Sequence, residues 1–218
     1  KNLFYNQYTR CDSYFSNSEL AASGLPEKDE LALLEPFRAQ LDPAVFTREW
    51  RPPSTNPPGS LRANLLQAKA LLAEAGWELH AGTLQDSSGR RLQFEVLLAQ
   101  KAFERILAPY ARNLAKLGIQ VTYRTVDSSL YQRRTDTFDF DMIVGSFVQS
   151  QSPGNEQINY WHSSSADQEG SNNVIGIKDP VVDALINKII YAPDRRQLVT
   201  AVHALDRVTR YTGGSPES

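Results

Sequence analysis

Two acidic residues set two apart, Asp139 and Asp141, are the side chains whose type and spacing come nearest to reactive chemistry. Alternate residues of a β-strand share a face, so the carboxylates of Asp139-Phe140-Asp141 can hold a divalent metal, as the acidic pair of some sugar-nucleotide transferases does. The competing reading is a solvated acidic face at the start of a strand, beside the inward-turned Phe138 and Phe140. The three histidines, His80, His162 and His203, stand far apart, and none has a second His, Cys or carboxylate pair at metal-ligand spacing. No serine sits in a nucleophile-elbow context, and no glycine cluster forms a phosphate-binding loop. Gly154-Asn155 follows Pro153 and belongs to no strand-to-helix nest. The inventory names no enzyme and calls for no cofactor.

What remains is Gly145 to Glu156, a stretch of small and amide-bearing side chains with few charges. It leaves the C-terminal end of a predicted strand, the place where open α/β sheets bind ligands. Exposed backbone and amides there can hydrogen-bond an extended chain, as peptide recognition by strand addition requires. A polar loop that merely closes the sheet fits the same residues.

These groups need elements to hold them. Leu61, Leu65, Leu66 and Leu72 keep helical spacing until Gly76, which suits a left-handed C-cap. Trp77 to Leu84, Ser87-Ser88-Gly89 and Leu92 to Leu98 read as a short strand, a turn and a longer strand, a hairpin. Helical spacing returns from Phe103 to Leu117 and stops at Gly118, and Ile119 to Val126 alternates as a strand. Asp127 or Ser128 caps a short helix through Tyr131 to Arg134, and Phe138 to Phe147 reads as a buried strand. Asp179-Pro180 supplies an N-cap and first residue for one helix, and Asp194 opens another running to about Val208. Strands alternating with helices demand crossovers and a parallel or mixed sheet, so the expected fold class is α/β.

Residues 1–60 carry breakers at Gly24-Leu25-Pro26, Pro52-Pro53 and Pro57-Pro58-Gly59 around one amphipathic stretch, Glu30 to Phe37. They read as an irregular segment wrapping a core made by residues 61–212, and 213–218 read as a small polar tail, frayed or added. With 218 residues, 41% of them hydrophobic, the chain can bury one good core. A formal charge of -2 lacks the basic excess that nucleic-acid binding needs. Cys11 is the single cysteine, so no intrachain disulfide forms, and no apolar run is long enough for a membrane span. The opening Lys1-Asn2-Leu3-Phe4 has no initiator Met, basic region or apolar core of a signal peptide, so both ends read as cut.

Several stretches carry a resemblance. They are Ser13 to Pro26 (SYFSNSELAASGLP), Leu71 to Trp77 (LLAEAGW), Asn113 to Ile119 (NLAKLGI), Tyr131 to Arg134, Phe138 to Met142, Ser152 to Gln157 (SPGNEQ) and Gly176 to Pro180. Together they resemble family 5 of the extracellular solute-binding proteins, the oligopeptide and dipeptide class of ABC importers. The SPGNEQ and SYFSNS stretches point to its Yej-type branch. The resemblance implies one lobe of a periplasmic binding protein of the second type, a mixed sheet flanked by helices. It further implies a periplasmic location, a short peptide or peptide-like ligand such as a microcin-type antibiotic, ABC permease subunits as partners, and the other lobe of the same protein to complete the cleft. It places the peptide backbone along Gly145 to Pro153, with Ser146, Phe147, Val148, Gln149, Ser150, Gln151 and Asn155 as contacts and Arg134 and Trp161 as further ones. Related binders pair an aspartate with the peptide's amino terminus, at the position that corresponds here to Gln149; an amide carries no charge for that task.

Overall fold

A computed structural model describes residues 7–212. The opening residues 1–6 and the expected tail 213–218 lie outside the described residues. In chain order the helices are α1 (Lys28–Leu34), α2 (Ala44–Thr47), α3 (Leu61–Glu74), α4 (Glu104–Ala115), α5 (Ser128–Asp136), α6 (Glu156–Trp161), α7 (Pro180–Ile190) and α8 (Arg195–Thr212). The strands are β1 (Glu78–His80), β2 (Thr83–Gln85), β3 (Gln93–Leu98), β4 (Gln120–Thr125) and β5 (Met142–Ile143). Among the described residues, 52–145 form one compact unit, and 7–51 with 146–212 form another.

The first unit is built on a parallel sheet of order β4-β3-β5. Parallel neighbours need crossovers, and α4 and α5 provide them. Asp127 caps α5 through its side chain, which accepts from the Ser129 and Leu130 amides. Alternation on β3 sends Val96 and Leu98 onto Leu107 of α4, each nearly solvent-free. A second cluster joins Leu84, Leu117 and Ile119 to Leu65, Ala68 and Leu72 of α3. Gly118 ends the α4 turn at φ +82, where a Cβ would lie 2.8 Å from the Leu84 amide nitrogen. Its carbonyl accepts from that same amide at 2.9 Å, so only glycine lets the two backbones meet there.

Two expected elements differ. The hairpin lies inside the first stretch, where β1 and β2 pair antiparallel across Ala81-Gly82, both at positive φ. Ser87-Ser88-Gly89 forms a second turn, but only one bridge, Gln85↔Arg91, follows it before β3 turns to its parallel partners. Val96, Leu97 and Leu98 are buried on both faces of the sheet, as suits a central strand, and β3 accordingly pairs with β4 and β5 instead of with the hairpin. The strand expected over Phe138 to Phe147 shrinks to Met142–Ile143, because Phe138 takes φ +56 and a turn ahead of it, and Gly145 onward leaves the ladder.

The second unit is helical, with a core of Phe15, Leu20, Leu34, Val45, Trp161, Val182, Leu185, Ile186, Val202 and Leu205 among others. Asp179 caps α7 by accepting from the Val181 and Val182 amides, with Pro180 at its first position. Asp194 receives the Gln197 amide at the start of α8. The amphipathic stretch expected over Glu30 to Phe37 is α1 continued by a 3-10 turn, Glu35–Phe37. No helix among the described residues is long and apolar enough to cross a membrane.

Candidate functional site

The stretch 146–155 lies in the helical unit and has no regular secondary structure. Its anchor is Phe147, half-buried and stacked on Trp161 with ring centroids 4.8 Å apart and 26° between planes. Tyr14 meets both rings edge-on, 5.4 Å from Phe147 and 4.8 Å from Trp161. Burial, and secondarily the nearby Asp206 carboxylate, push the Tyr14 phenol above its ordinary value, so this ring stays neutral. Ser146, Val148 and Ser150 face outward, Val148 at 75% exposure. The Ser150 hydroxyl accepts from the Ser152 amide, and the Gln151 carbonyl accepts from Arg195, which also grips Glu19. Pro153 is buried, and Asn155 is exposed at the start of α6 with no capping bond from its side chain.

Beneath this surface runs a chain of amides. The Trp161 indole N–H donates to Gln157 Oε1 at 3.1 Å, and Gln157 Nε2 donates to Gln149 Oε1 at 2.8 Å. Gln157 is fully buried, and the Gln149 Nε2 atom is buried with no hydrogen-bond partner. Gln157 was not among the residues expected to matter. Its signal in the sequence is the four-residue spacing to Trp161, which puts both side chains on one face of α6. Trp161 itself is 1% exposed, so it acts by seating Phe147 and Gln157.

Arg134 belongs to the sheet unit, with its side chain 19% exposed. Its guanidinium donates to the Asp139 carbonyl and carboxylate and to Glu95 Oε1. The acidic pair is likewise engaged: Asp139 by Arg134, and Asp141 by the Glu95 amide at 2.9 Å. Among the described residues no group of three or more His, Cys, Asp or Glu side chains gathers where a metal could be held. A groove of about 610 Å³ lined by Asp29, Lys188, Tyr191 and Arg196 contains none of residues 146–155.

Comparison with known proteins matches residues 1–169 to the bacterial extracellular solute-binding proteins, family 5, Middle. The chain belongs to this family. Over 209 residues it is 46% identical to the probable peptide-binding protein YejA of Agrobacterium fabrum, covering 95% of this chain, and this places it in the Yej-type branch. The chain spans 34% of the length of that relative. Among solved structures, the oligopeptide-binding protein AppA of Bacillus subtilis, in complex with a nonapeptide, matches 67% of this chain and 29% of its own, with TM-score 0.59 and 27% identity. The oligopeptide-binding protein of Thermus thermophilus, complexed with a pentapeptide, matches 84% of this chain and 34% of its own, with TM-score 0.60. At 19% identity this last likeness speaks for the fold alone. The mixed α/β architecture with helices flanking the sheet is therefore that of part of a periplasmic binding protein of the family 5 kind.

Proposed function

We propose that this chain is part of the substrate-binding component of an ABC importer, that it acts in the periplasm, and that it binds short peptides or peptide-like compounds such as microcin-type antibiotics without catalysing a reaction. The observation that carries this reading is the 46% identity, over nearly the whole chain, to a probable peptide-binding protein. The loop chemistry agrees with it. Ser146 to Ser150 combine small exposed side chains with a backbone outside any strand or helix, equipment for hydrogen-bonding a peptide main chain in a sequence-tolerant way. Phe147 fixes that strip on a rigid aromatic base. Cleft closure of the kind known for periplasmic binding proteins would bring contacts from the other lobe, and ABC permease subunits would receive the ligand. Arg134 acts in this reading through the sheet unit, by fixing Glu95 and Asp139.

The test is native mass spectrometry of the full-length protein with oligoalanines of two to six residues, whose main chain is all they offer. Stoichiometric adducts support the reading and give the preferred length from the mass differences. If no oligoalanine adds at millimolar concentration, the peptide assignment fails.

A further inference from the structure

The amide chain of the candidate loop fixes more than position; it fixes polarity. An indole N–H can only donate, so the Gln157 atom 3.1 Å from Trp161 Nε1 must be its oxygen. The other end of the Gln157 amide is then its NH2 group, which can only donate. The Gln149 atom 2.8 Å from it must therefore be oxygen as well. This leaves the Gln149 NH2 group as the free end of the relay, and that is the one buried side-chain polar atom among the described residues with no hydrogen-bond partner. Each step is dictated by the donor-only indole at the buried end. A buried donor without a partner is costly, so the site favours whatever supplies an acceptor.

We propose that Gln149 is a specificity-determining donor of the ligand site, which hydrogen-bonds a carbonyl or carboxylate oxygen of the bound peptide and cannot hold an ammonium group. The inference rests on the peptide-binding reading above. An ammonium has three donors and no acceptor, and against the Gln149 NH2 group it would set donor against donor. The peptide's amino terminus is thus held by other groups, and the loop meets an oxygen. The Gln149 NH2 group is covered in this arrangement, so binding in this way requires the segment 146–155, which is free of strand and helix, to move when the ligand enters.

Two isosteric variants test the polarity in the full-length protein, with oligoalanines of two to six residues as probes and calorimetric titration as readout. Gln149→Glu keeps the oxygen that receives Gln157 and replaces only the free NH2 by a carboxylate oxygen. It should weaken oligoalanine binding about tenfold or more. Gln157→Glu leaves Gln149 in place but offers it no donor, so the Gln149 amide turns over and presents its oxygen, with a similar loss of affinity. Matching thermal melts of variants and wild type check that the fold is kept. If a variant fails to fold, Gln149→Leu, which removes the donor without adding charge, takes its place and should show the same loss. Undiminished or tighter binding by a folded Gln149→Glu protein would overturn the donor assignment while leaving the peptide reading intact. No oligoalanine binding by the wild type would instead remove the reading and the inference together.

Discussion

The sheet unit, 52–145, and the helical unit, 7–51 with 146–212, bury their interiors by different means. The first is continuous in sequence and depends on apolar ladders, Val96 and Leu98 on Leu107 and Leu84 on Leu117 and Ile119. The second joins two segments far apart in the chain, and polar groups make many of the joins. Asp206, fully buried, receives the Ser13 hydroxyl and the Tyr14 and Ala22 amides and pairs with Arg210. Arg207, 2% exposed, holds Glu30 at 2.7 Å and the carbonyls of Ser23 and Gly24. Apolar contact tolerates a slid or rotated partner, whereas a buried charge tolerates only the arrangement that satisfies it. The loop proposed to bind peptide is carried by the unit whose geometry is held in this more exacting way.

Breaking a polar join should do the most damage. Arg207→Ala leaves Glu30 buried without its counter-charge and is expected to cost about 3–5 kcal/mol in denaturant unfolding. The double change Glu30→Leu with Arg207→Met should cost much less, because the charges leave together. A small loss in the single variant would erase the contrast between the two units. Next comes Leu98→Ala in the sheet unit, expected to cost about 2–5 kcal/mol through the cavity it opens, by the same measurement.

Trp161→Phe keeps a ring beneath Phe147 but removes the indole donor, leaving the Gln157 oxygen buried and unpaired. It should cost about 1–3 kcal/mol in thermal unfolding and weaken oligoalanine binding, since nothing then fixes the Gln149 polarity. A folded variant with unchanged stability and affinity would show that the relay is not what orients the loop.

Asp206 sharpens the comparison through pH. Burial pushes its carboxyl above the ordinary value, against the pull of Arg210 and of the bonds from Ala22, Ser13 and Tyr14. The native state therefore keeps the proton in a range where the unfolded chain has lost it, and stability falls as pH rises from about 4 through the raised value. Asp206→Asn does not titrate there, so the stability of wild type relative to the variant should decline as pH climbs through that window. A difference that stays constant as pH rises above about 4 would contradict it. The smallest effect is expected at Val148, 75% exposed: Val148→Ser should change stability by less than about 0.5 kcal/mol in a thermal melt.

Much of the sheet unit was legible because its signals are local. The left-handed glycines Gly76 and Gly118, the Asp127 cap and the alternation of β4 each act within a few residues, and all stand where the sequence puts them. The hairpin was misplaced because Ala81-Gly82 offers a tighter turn than Ser87 to Gly89, and because an apolar strand such as β3 finds two parallel neighbours only through tertiary contact. The sequence offers a candidate strip from Ser146 to Asn155 through its small and amide side chains, but it does not offer Gln157. An interior glutamine on a six-residue helix looks like any surface amide until its partners Trp161 and Gln149 are seen.

The sequence by itself determined the α/β class, most element boundaries, the family, and the strip of small and amide side chains, because these rest on spacing and residue type along the chain. Only the tertiary structure decided that residues 13–30 close onto α8, that Arg134 serves the sheet unit, and that Gln149 keeps a buried NH2 group with no hydrogen-bond partner. The first depends on polar groups that meet over separations reaching 193 residues, and the other two on which side chain a nearby donor or acceptor selects, which residue type alone does not settle.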